Sequence, residues 1–194
     1  MSESPNSYNI SRVDLEDDRY EVKQPAIRNK YVVRNSVGDV VLRGKQKMFK
    51  MKEEFPFTDA EGNVVFRIKA QRRMDISGDY GIVDEATGET VAVLRKEFSL
   101  LTHNWKIKDP ETDGLIASIE SRGKLMGLLR SFSGLANIIP HKYTIYNADR
   151  DEIGKIKGKL SLKDTYSVGL GELGKVPREA VVAAAVTIDA LEGE

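Results

Sequence analysis

Cysteine is missing from all 194 residues. That removes disulfides, thiol nucleophiles and cysteine-ligated zinc or iron–sulfur clusters from consideration. Histidine is almost missing: only His103 and His141 occur, and neither sits in the paired spacing that metal sites use. Net charge is missing too, because thirty basic residues balance thirty acidic ones. Without a global field or interleaved aromatics and cations, nucleic acid is not an expected partner. No uncharged run reaches the ~20 residues of a membrane span. The opening Met1-Ser2-Glu3-Ser4-Pro5-Asn6 lacks the basic and apolar regions of a signal peptide. These absences together predict a cytoplasmic protein, with a peripheral position on a membrane left open.

Catalytic signatures are missing as well. There is no G-x-S-x-G elbow, P-loop or calcium-binding loop. Asp75-Ile-Ser-Gly-Asp79 offers two carboxylates, fewer than a calcium loop requires. Gly169-Leu-Gly171-Glu-Leu-Gly174 spells a dinucleotide fingerprint between a strand and a helix. A dinucleotide fold needs a second parallel strand and an acidic residue about 20 positions on, and the chain ends too soon. The glycines read instead as the turn that feeds the last helix. The expectation is a non-enzymatic protein with no cofactor and no bound metal.

What the chain does contain is a repeated phrase. Tyr31 to Arg43, Phe55 to Ile68, Tyr80 to Leu94, Trp105 to Ile119 and Tyr143 to Ile156 each read as strand, turn and strand. Each opens on an aromatic residue, alternates with period two, and enters its turn through Asp or Asn. Gly38, Gly62, Gly88 and Gly114 fall where positive φ is expected, and the fifth phrase has its glycine displaced to position 154. Arg19 to Gln24 and Thr165 to Leu170 add one strand at each end, giving twelve.

The closing stretch from Pro177 to Leu191 is apolar almost all round, with only Thr187 and Asp189 polar after Ala180. Such a helix is buried in protein or lipid, and its ~22 Å length is short for a bilayer. A barrel wider than eight strands leaves a lumen, and a helix ~10–12 Å across fills one. The predicted fold is mainly β: a closed twelve-stranded antiparallel β-barrel around a buried hydrophobic C-terminal helix. Residues 19–194 form this single domain. Residues 1–18, with five acidic residues against Arg12 alone, read as an acidic, disordered tail.

Tyr20-Glu-Val-Lys-Gln24, the Asp/Asn-x-x-Gly hairpins, Arg43-Gly44-Lys45 and Ala183-Ala-Ala-Val-Thr-Ile-Asp-Ala-Leu191 resemble the LURP-one-related family. The resemblance spans roughly residues 19–191. It implies membership of the tubby C-terminal-like superfamily, which includes the phospholipid scramblases, and hence a barrel around a hydrophobic helix. It implies little chemistry.

Two stretches stand as candidate sites. Residues 19–73 hold fourteen basic residues against six acidic ones. Tubby proteins bind phosphoinositide headgroups through a basic run after a strand of an early hairpin. By that resemblance, Lys69, Arg72 and Arg73 are the candidate contacts for phosphate or anionic phospholipid headgroups, and paired arginines suit phosphate chemically. Alternating cations can equally be the wet face of a barrel. The second stretch, 125–139, places Leu125, Leu128, Leu129 and Phe132 at helical spacing. It suits a membrane surface, a protein partner or homo-oligomer, or a cap on one barrel end. The function expected is binding of an anionic lipid surface, with a protein-interaction or dimerisation module using 125–139 as the alternative.

Overall fold

Alternating burial builds the wall. In β1 (Arg19–Lys23) and β2 (Lys30–Arg34), Tyr20, Val22, Tyr31 and Val33 are buried while the residues between them face out, the period-two pattern of a sheet with one wet side. The computed structural model describes residues 10–13, 15–24, 30–45, 54–71, 79–98, 103–121, 142–158 and 165–192. The remaining strands are β3 (Val40–Lys45), β4 (Phe55–Thr58), β5 (Val64–Gln71), β6 (Asp79–Asp84), β7 (Thr90–Phe98) and β8 (His103–Lys108). They continue as β9 (Leu115–Ser121), β10 (Lys142–Asn147), β11 (Glu152–Gly158) and β12 (Thr165–Leu170). Each pairs antiparallel with its neighbours in sequence, and β1 pairs with β12 from Arg19↔Gly169 to Lys23↔Thr165. That last pairing closes a twelve-stranded barrel, so no strand is left with an unpaired edge.

The turn chemistry follows the expected grammar. All five hairpins open on an Asp or Asn whose side chain accepts a backbone N–H further along the turn: Asn35, Asp59, Asp84, Asp109 and Asn147. Gly38, Gly62 and Gly88 carry positive φ of 97°, 95° and 73°, a region that costs other residues free energy. The fourth hairpin differs from expectation: Asp113 (φ 57°) takes that conformation instead of Gly114. In the fifth, Arg150 (φ 72°) takes it, and Gly154 lies within β11 as its displaced position suggested. Gly154 has a different role: a Cβ at this position would lie 2.7 Å from the Gly169 carbonyl oxygen of the paired strand.

The even-numbered strands all start at the barrel end opposite these turns, and each carries an aromatic residue among its first three positions. Tyr31, Phe55, Trp105, Tyr143 and Tyr166 are buried, and Tyr80 packs against them half-buried. Tyr31, Phe55, Phe57 and Phe66 form a chain of ring contacts with centroids 6.1, 4.7 and 4.3 Å apart. Gly44 faces this chain and lets Phe55 approach to 3.1 Å of where its Cβ would sit.

The helix α1 (Arg178–Glu192) enters from the turn end. Pro177 precedes it and accepts the first helical bond from Val181, which makes it the N-cap, one position before the N1 site that proline favours. Residues 180–188 are all buried, with Ala180, Ala183 and Ala184 at 0% exposure. The Tyr166 hydroxyl donates to the Ala185 carbonyl at 3.2 Å, tying the helix to the wall. Thr187, the polar residue inside the lumen, donates to the Ala183 carbonyl at 2.8 Å.

Residues 10–13 and 15–18 are not free of the barrel. They form a strap across the turn end, with Ile10 and Leu15 buried in the main core. The Ser11 amide donates to Asp84, the Leu15 amide to Glu179, and Arg178 donates to the Leu15 carbonyl and to Asp18. An acidic composition concealed this, because the anchors for the strap lie far away in sequence. Residues 1–9 and Asp14 lie outside the described residues.

Candidate functional site

In a barrel of this width the obvious place for a ligand is the lumen, and here the protein fills it. Leu42, Phe57, Phe66, Ile82, Leu94, Ile107, Ile119 and Ile145 line the wall at 0% exposure against an equally buried helix. Of the glycine run, Gly169 is a paired residue of β12, and Gly171 and Gly174 lie in the turn between β12 and α1. Gly171 donates to the Ile153 carbonyl, Gly174 takes φ 59°, and Leu173 and Val176 are buried.

Of the candidate contacts, Lys69 is described and the rest are not: Arg72, Arg73, Leu125, Leu128, Leu129 and Phe132 lie outside the described residues. Lys69 faces out from β5 and sits 3.0 Å from Glu54. Its neighbour Arg67 bonds Glu85 through Nε and Nη2 at 2.6 and 3.0 Å, and reaches Glu54 at 3.6 Å. The Arg67 hydrogen bonds hold the Glu85 carboxyl below its usual range. Two cations therefore meet two carboxylates, so the described part of this run is locally neutral.

The same holds around this half of the barrel. Arg95 on β7 bonds the buried Asp79 through Nε and Nη2 and also reaches Asp113. Lys108 meets Asp113 from β8, and first Lys108, then Arg95, keep that carboxyl low. Lys106 pairs with Glu97, and Lys96 lies over the Trp105 ring 5.5 Å from its centroid. Every lysine and arginine on β5–β9 is thus engaged. Further round, the Arg150 bond holds Glu120 low against the burial that would raise it.

The other half is different. The consecutive strands β12, β1, β2, β3 and β4 carry six basic residues and one acidic, Glu21. Arg34 donates to the Gly38 carbonyl, whereas Arg19, Lys23, Lys30 and Arg43 make no side-chain hydrogen bond or ion pair among the described residues. Nothing in the linear sequence singles out this face, because its cations are brought together only by strand pairing.

Residues 40–189 match the model of a family described as LURP-one-related. An X-ray structure of a protein from Arabidopsis thaliana superposes with a TM-score of 0.56 at 9% identity, covering 90% of this chain and 91% of that one. That likeness is one of fold. No curated protein matches the sequence.

Proposed function

The chain belongs to the LURP-one-related family, and from that premise we propose that it is a non-enzymatic module that binds anionic phospholipid headgroups with the outside of its barrel. The observation that carries this reading is the filled lumen. With residues 180–188 buried against the inner wall, recognition is left to the outer surface. The resemblance to tubby-like proteins supports headgroups as the ligand, and the surplus of cations in residues 19–73 supplies the matching charge. No helix among the described residues is long and apolar enough to cross a membrane. The binding proposed is therefore peripheral, from the cytoplasmic side, whose leaflet is the anionic one.

The test is flotation of the protein with vesicles of phosphatidylcholine alone or mixed with phosphatidylserine. Enrichment on the acidic vesicles, weakening as salt is raised, is the expected outcome. Equal partitioning onto both compositions would remove the lipid reading.

A further inference from the structure

We propose that the outer face of β1, β2 and β3, centred on Lys23, Lys30 and Arg43, is the surface that meets an anionic bilayer. This rests on the headgroup reading above and assigns it a different location from Lys69, Arg72 and Arg73.

Register places these residues. Lys23 lies opposite Val32, and Val32 opposite Arg43. Lys23 and Arg43 therefore flank one valine across two strand spacings, about 10 Å. Lys30 is two residues before Val32 on the same outward face of β2, about 7 Å along the strand. The three charges lie near one Debye length apart at physiological salt, so their fields add.

Among the described residues none of the three has an ion-pair partner, while every cation on β5–β9 is engaged. The one carboxylate of these strands, Glu21, lies two positions before Lys23 on β1.

A bilayer suits the face better than a nucleic acid. The aromatic residues of β1, β2 and β4 (Tyr20, Tyr31, Phe55 and Phe57) are all buried in the core, so among the described residues of this face no ring is left outside on which a base could stack. The face is the convex wall of a barrel, bearing cations around half-buried valines. Such a surface can rest on a plane of headgroups.

The experiment uses the full chain with vesicles of phosphatidylcholine alone or with about a third phosphatidylserine. Each cation near such a surface contributes roughly a fivefold gain in partitioning. Lys23→Gln/Lys30→Gln/Arg43→Gln should therefore lose about a hundredfold, and Arg43→Gln alone about fivefold. Arg67→Gln/Lys69→Gln and Arg72→Ala/Arg73→Ala should bind as the parent does. An unchanged thermal midpoint in the triple variant confirms that its fold is intact, and the single variant reads the same effect independently. If the parent prefers acidic vesicles and the triple variant binds equally well, this face is wrong while the headgroup reading stands. Should the parent ignore acidic vesicles, both are overturned. Binding to an oligonucleotide with the same variant sensitivity, and not to vesicles, would also overturn the proposal and reassign the face.

Discussion

Tyr20 shows how one residue can carry a measurable signature of this fold. It is 1% exposed, and its hydroxyl has no hydrogen-bond partner among the described residues. Burial pushes its pKa up to about 12, against the lowering pull of the Arg178 charge. An unfolded tyrosine ionises near ~10. Between those values the folded chain keeps a proton that the unfolded chain gives up. The contribution is therefore complete below pH ~10 and falls by about 2–3 kcal/mol as pH rises toward 12. Tyr20→Phe removes a hydroxyl without a well-formed hydrogen bond among the described residues, so near neutral pH it should change stability by no more than about 1 kcal/mol. At alkaline pH the variant should overtake the parent. Urea denaturation of both proteins at pH 8 and pH 11 checks this, and parallel losses would mean that Tyr20 is not the group responsible.

At the scale of elements, what was legible in the sequence is what local chemistry decides. Turn residues such as Asn35 and Asp59 bond their own hairpins, and the run from Ala180 to Ile188 has no polar face to show to water. Both can be read without knowing any distant neighbour. The strap could not be read that way. Ile10 and Leu15 sit among charged residues, and their burial depends on Asp84, Arg178 and Glu179. If the strap is part of the core, Ile10→Ala/Leu15→Ala should lose about 4 kcal/mol, the low end for two large-to-small core changes, because an end of the barrel can partly collapse. A thermal melt reads the difference. A loss below about 1 kcal/mol, the scale of surface substitutions, would make the strap an ornament on a barrel that closes without it.

At the scale of the whole molecule, the outer face was illegible for a physical reason. Lys23, Lys30 and Arg43 are scattered along the chain, and only the pairings of β1, β2 and β3 bring them together. Which cations elsewhere are neutralised also depends on register, as when Asp79 falls opposite Arg95. Closure has a further consequence. The barrel is joined by its first and last strands, and the helix that fills it follows the last strand directly. Withdrawing the helix would leave the 0%-exposed wall residues around an empty apolar cavity, a heavy penalty at ~24 cal/mol per Å³. Opening the wall would in turn expose the helix. Neither part has a stable state without the other, so unfolding should be all-or-none. Trp105 is the single tryptophan, buried at 1% exposure on β8, and its fluorescence reports the lumen, while far-ultraviolet circular dichroism reports the strands and helix. In urea the two transitions should share one midpoint and one slope. A Trp105 transition that runs ahead of the dichroism would reveal a barrel that survives with its lumen loosened, and the mutual dependence of wall and helix would be refuted.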